Sequence, residues 1–222
     1  MTFYQRLVAE TVEGQMGLAS VPQIQDGLMG RISRETYIAY LTEAYHHVKH
    51  TVPLMQAARA RMDIAHQRFV AALDEYIAEE TGHEHWILAD IKNCGGDPEA
   101  ARNGEPRTAT LAMTDFAYDY INTANPMGFF GMVFVLEGTS VKLATHGAEA
   151  VARNLGLGPE CFSYLTSHGA LDLEHLTFFE NLMNEVVDPD DQAAIIEVAR
   201  AIFVRFADMF RAIPHAREVA HA

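Results

Sequence analysis

Along almost the whole chain apolar residues recur three and four positions apart, and alternating β-branched runs are scarce. That period suits one face of an α-helix and does not suit a half-buried strand, so the sequence is constrained to an all-α fold. Punctuation divides it. A short helix is expected over about Phe3–Glu13, then a turn-rich stretch from Gly17 to Gly30. Ser33 is a fitting N-cap for a helix that reaches about His50, where Pro53 breaks or kinks it. Further helices are expected over Leu54–Met62, Ala65–Cys94 with Gly82 as a weak point, Thr108–Thr123, Met127–Leu155, Phe162–Val186 and Asp190–Ile213. Gly95–Pro106, Gly156–Pro159 and the acidic turn Val187–Asp191 read as loops from their Gly, Pro and Asp content. Seven or eight helices with short connections predict a single-domain bundle over residues 1–222: an N-terminal helix and turn-rich segment (1–32), a core bundle (33–213) and a tail (214–222).

Composition narrows the function. With 49% of its 222 residues hydrophobic, the chain can bury a sizeable core. Thirty acidic residues against sixteen basic ones give a net charge of −14. Nucleic acid and anionic lipid need a basic face to neutralise phosphate, so neither is expected as a partner. The most apolar run, Met127–Leu136, is about half of what a bilayer span requires. No apolar leader precedes the first charged residues, so a cytoplasmic location is expected. Two cysteines, Cys94 and Cys161, are too few for a disulfide framework or a thiolate zinc site.

Eleven histidines are many for this length, and their placement points to a metal. His168, Asp172 and His175 fall within about 60° of arc on a helix at ~100° per residue, beside Leu171, Leu173, Leu176, Phe178 and Phe179. Imidazole nitrogen and carboxylate oxygen on one largely buried stripe must be paired or metallated, and Fe, Mn or Zn accept both donors. Glu80 and His83 form Glu-x-x-His, the inward-pointing pair by which helical bundles hold paired iron or manganese. Glu137 is a lone carboxylate in the apolar run 131–140, readable as a ligand or as a residue at a helix edge. Met127, Phe130 and Phe134 are the expected substrate wall. Glu43, His46, His47 and His50 cluster on the helix that ends at about His50, and His47 is the favoured inward residue.

Taken in order, the histidine-rich helix before Pro53, Glu80-x-x-His83, Glu137 and His168-x3-Asp172-x2-His175 resemble the heme-oxygenase-like diiron oxidase and oxygenase group of the TenA/PqqC-like superfamily. The resemblance spans about Thr36–Asn184, and the His-x3-Asp-x2-His element is its most specific part. It implies a heme-oxygenase-like bundle, usually dimeric, with non-heme iron held by Glu80, His83, Glu137, His168, Asp172 and His175. It also implies an O2-dependent oxidation of a small, partly apolar acid or amine. The group usually supplies a glutamate from its first helix, where this chain offers His46, His47 and the earlier Glu43. One or two ions, and manganese in place of iron, therefore stay open. Three other readings compete. A TenA-type pyrimidine hydrolase needs a cysteine nucleophile where Glu137 stands. A heme oxygenase proper needs a glycine-rich helix against porphyrin, for which Gly128, Gly131 and Gly138 are candidates. A non-catalytic bundle would bind a small molecule or a partner helix.

Overall fold

The computed structural model describes residues 1–215, apart from the side chains of residues 141, 142 and 168–175. The described residues are helical throughout and contain no strand. Twelve α-helices follow one another: α1 Phe3–Glu10, α2 Val12–Ala19, α3 Pro22–Leu28, α4 Arg34–Val48, α5 Thr51–Arg61, α6 Gln67–Glu80, α7 His83–Asn93, α8 Pro98–Asn103, α9 Thr108–Thr123, α10 Phe129–Leu155, α11 Ser163–Asn184 and α12 Pro189–Ala212.

The count exceeds the seven or eight expected because short helices occupy stretches rich in turn residues. Gly17–Gly30 is mostly helix. Pro22 opens α3 at a position where its missing N–H costs nothing, and Ile24 anchors that helix in the core. The expected helix from Ala65 to Cys94 is two. Thr81 is extended and Gly82 has φ +96°, a left-handed conformation that side chains resist, so α6 and α7 part there. Pro53 breaks nothing. The chain turns at Lys49–His50, and Pro53 sits in the first turn of α5, where backbone N–H groups have no intrahelical acceptor.

Helix α10 is the axis of the bundle and packs against α11 and α12. Its apolar character runs past Leu136: residues 126–155 are long and apolar enough to cross a membrane by length and composition, yet the most apolar part of that stretch is mostly buried inside the protein. Close packing needs Gly131. A Cβ there would stand 2.3 Å from the Ile195 carbonyl oxygen and 2.7 Å from the Ala199 nitrogen, so the glycine lets α10 and α12 touch backbone to backbone.

Two apolar clusters form the interior. The larger joins α1, α5, α6, α9, α10, α11 and α12 through Leu7, Leu54, Leu73, Met113, Phe130, Phe179 and Ile202, among others. The smaller joins α4, α7 and the far end of α10 through Tyr37, Leu41, Ile87, Ile91, Val151 and Phe162. Burying each such side chain stabilises the fold by about 1.5–3 kcal/mol. Along the seam between the clusters packing is incomplete, and both cavities described below lie there.

Candidate metal centre

Three helices bring acid and imidazole groups to one cavity of about 80 Å³. From α4 comes His47, from the end of α6 Glu80, and from α10 Glu137. Thr51, Leu54, Met55, Phe129, Met132, Val133 and Leu136 complete a mostly apolar wall. His83, the first residue of α7, reaches back across the break so that its Nδ1 lies 2.9 Å from Glu80 Oε2. Glu80 and His83 thus meet across a turn and not along one helical stripe. The imidazole stacks on Trp86, with ring centroids 4.1 Å apart and planes at 23°, which fixes its orientation. Glu137 accepts from the Tyr76 hydroxyl at 3.5 Å. Burial, and then the negative charge of Glu137, hold the Tyr76 hydroxyl well above its ordinary pKa, so it stays a donor.

The histidine-rich helix divides its residues between two tasks. His47 lies on the cavity wall, its ring edge-on to Phe206 at 5.9 Å. Glu43 points away. It accepts from Thr110 Oγ1 at 2.5 Å and from the Arg107 backbone at 3.2 Å, which ties α4 to the start of α9. His46 Nδ1 lies 3.1 Å from Lys49 Nζ, and burial, then the Lys49 charge, lowers its pKa. His50 Nδ1 meets the Tyr118 hydroxyl at 3.1 Å.

The substrate wall was expected at Met127, Phe130 and Phe134. All three are packed into the larger core cluster and line neither cavity at the seam. Phe130 meets Phe69, and Phe134 meets Phe179 and Phe203. The cause is helical phase. Phe129, Met132, Val133 and Leu136 form the i, i+3, i+4, i+7 stripe that includes the cavity side, whereas Phe130 and Phe134 sit one residue, or about 100°, further round. His168, Asp172 and His175 are on α11, and their side chains lie outside the described residues. Among the described residues no group of three His, Cys, Asp or Glu is close enough to hold a metal. His47, Glu80 and Glu137 share the one cavity, with His83 bonded to Glu80. Tyr76, Trp86, Ser140 and Tyr164 belong to this neighbourhood without having been singled out in the sequence. Tyr76 sits one turn before Glu80, a spacing that marks it as a neighbour on the same face.

A model of the iron-containing redox enzyme family matches residues 38–205. The chain belongs to that family. Its fold is heme-oxygenase-like: a domain of unknown function with that fold from Shewanella denitrificans superposes with a TM-score of 0.83 at 22% identity, over 94% of this chain and 89% of that one. A TenA homologue from Pseudomonas syringae gives 0.79 at 11% identity, over 94% and 91%. Heme oxygenase-1 from the cyanobacterium Synechocystis, determined in complex with heme, gives 0.74 at 13% identity, over 95% and 91%. No curated protein matches the chain in sequence.

Family membership makes iron the metal against which the donors are judged, and carboxylate plus imidazole is a donor set that iron accepts. Gly128 and Gly131 are used up in contacts with Tyr120, Val198 and the α12 backbone, leaving no recess at either for a flat macrocycle, whereas a Cβ at Gly138 would meet nothing within 4 Å. Cys94 and Cys161 are buried and line neither cavity. Burial, followed by contact with Cys161, pushes the Cys94 thiol up to about 12, and burial raises Cys161 as well, the opposite of what a nucleophilic thiolate requires.

Proposed function

We propose that this family member is a non-heme iron oxidase or oxygenase that uses O2 to oxidise a small, partly apolar acid or amine. The iron, one ion or two with manganese as a substitute, would be held by Glu80, His83, Glu137 and His47 together with His168, Asp172 and His175 of α11. One observation carries the reading: His47, Glu80 and Glu137, from three helices far apart in sequence, wall one small apolar cavity, with His83 bonded to Glu80 at its edge. Bound iron supplies the electrons that activate O2, chemistry no side chain here can perform.

The chain's own groups do the rest. Glu80 orients the His83 ring through Nδ1, which directs Nε2 to the opposite side, and Trp86 holds the ring plane. The Tyr76 hydroxyl donates to one oxygen of Glu137 and so fixes that carboxylate. Phe129, Met132, Val133 and Leu136 keep bulk water from the cavity, which strengthens each electrostatic contact inside it. From the family resemblance, we propose that it works as a cytoplasmic homodimer.

Anaerobic loading with Fe(II), followed by desalting and metal analysis, tests the assignment. Retention of about one or two iron ions per chain is expected, with strong loss in Glu137→Ala and His175→Ala. A correctly folded wild-type protein that retains neither iron nor manganese overturns the proposal.

A further inference from the structure

We propose that the short strap Ile213–His215, which follows α12, closes one side of a second cavity and lifts away as a unit, and that Gln23, Thr36 and Asp26 form the latch that holds it down. The inference concerns access to the interior of the bundle and stands whether or not iron binds.

Pro214 dictates the strap. A residue before proline is pushed out of the helical region, and Ile213 is extended, with φ −68° and ψ 130°. Helix α12 therefore stops at Ala212 and leaves carbonyls at its end without helical donors. Two side chains from the other end of the sequence take them up. Gln23 of α3 donates through Nε2 to the Arg211 carbonyl at 3.1 Å and to the Ile213 carbonyl at 3.2 Å. Thr36, in the first turn of α4, donates through Oγ1 to the Pro214 carbonyl at 3.0 Å. One residue on, His215 Nε2 lies 2.9 Å from Oδ2 of the buried Asp26.

The strap stands between solvent and a cavity. A space of about 150 Å³ lies among α3, α4, α10 and α12, and Gln23, Thr36 and Ile213 form part of its wall. Ile213 is buried, whereas the bond from Gln23 to Arg211 is exposed, so the strap spans from the surface to the cavity. Leu28, Leu143 and Phe206, elsewhere on the wall, belong to helices held by their own backbone ladders. The strap has one such bond, from the Ile213 N–H to the Phe210 carbonyl, and Pro214 has no N–H to offer. It is the part of the wall that depends on side chains.

The latch is built to open without stranding a charge. Asp26 Oδ1 accepts from Arg31 Nε at 3.2 Å and from Nη2 at 2.9 Å. When His215 leaves, the carboxylate keeps this cation, which avoids the large cost of an unpaired buried charge. Water can replace the strap carbonyls on the Gln23 amide and the Thr36 hydroxyl, so each of those bonds contributes modestly to the closed state.

Gly147 offers a reporter position. It is on the wall of the same cavity, and a Cβ there would meet only Leu28 Cδ2, at 3.8 Å, so Gly147→Cys adds a thiol to the wall without displacing backbone. Its labelling by N-ethylmaleimide, followed peptide by peptide with mass spectrometry, is compared with the latch intact, in Gln23→Met/Thr36→Val and in His215→Ala. The last variant removes a partly exposed side chain and serves should the double variant fold poorly. Labelling at position 147 is expected to accelerate about fivefold in His215→Ala and more than about tenfold in the double variant, while Cys94 and Cys161, buried away from this cavity, stay unlabelled. A rate at position 147 that is unmoved in every folded variant overturns the proposal. So does an equal acceleration at all three thiols, which reports general loosening and no strap.

Discussion

Removing the Asp90 carboxylate is expected to loosen α11, the helix that carries His168, Asp172 and His175. Asp90 is on α7, fully buried. It accepts from the Ser163 backbone N–H at 3.0 Å, from the Tyr164 N–H at 2.9 Å and from the Ser163 hydroxyl. A side chain 73 residues away in sequence thereby caps the start of α11. Loss of an N-cap costs about 0.5–2 kcal/mol, and each buried N–H left without an acceptor adds about 1–3 kcal/mol. For Asp90→Ala, where water gains some access, roughly 2–4 kcal/mol is expected, or about 5–15 °C in Tm for a chain of this size. Asp90→Asn keeps one acceptor oxygen and should lose less than half of that.

The sign of the pH dependence follows from the folded pKa. Burial raises the Asp90 carboxyl above its ordinary value, more than its hydrogen bonds to Ser163 and Tyr164 lower it. The folded state then holds a proton that the unfolded state has released, so this contribution is fully present below the unfolded value near 4 and is lost as pH rises through the folded value. The deficit of Asp90→Ala relative to wild type should therefore be largest in acid and shrink as pH rises through that window. Thermal unfolding followed by far-ultraviolet circular dichroism across pH measures it. A Tm change below about 3 °C, or a deficit that grows with pH, refutes the reasoning.

Four further outcomes are expected. Gly131→Ala should destabilise by about 1–3 kcal/mol or more, because the new methyl meets the α12 backbone, whereas Gly138→Ala, with nothing within 4 Å, should be neutral or stabilising by up to about 1 kcal/mol; chemical denaturation compares them. Glu80→Ala should weaken iron binding more than tenfold in a competitive chelator titration, and Tyr76→Phe should weaken it less, since it removes one bond to Glu137. Glu43→Ala should cost about 2–3 kcal/mol of stability by stranding Thr110 and the Arg107 N–H, yet leave iron content unchanged; iron loss on that substitution alone would show that α4 faces the centre differently. Cys94 and Cys161 should resist a thiol reagent at pH 8 in the folded protein and react once it is unfolded, because burial raises both thiols.

Helical period and the chemistry of Gly, Pro and Asp carry the all-α class and most long helices in the sequence, since both depend only on neighbours within a turn or two. The same short range explains why Glu80-x-x-His83 is visible as a pair even though the chain breaks between the two residues at Gly82. Rotation about a helix axis is different. Whether His46 or His47 faces the cavity, and whether Phe129 or Phe130 does, depends on which neighbouring helix claims which stripe. Gly131 and the α12 backbone decide that for α10, and the Glu43–Thr110 bond helps decide it for α4. The seam between two separately packed cores, with a small acid and imidazole cavity and a more apolar one along it, is written in no segment. It arises because helices distant in sequence stop short of filling the space among them, a property of distances that only the assembled bundle possesses.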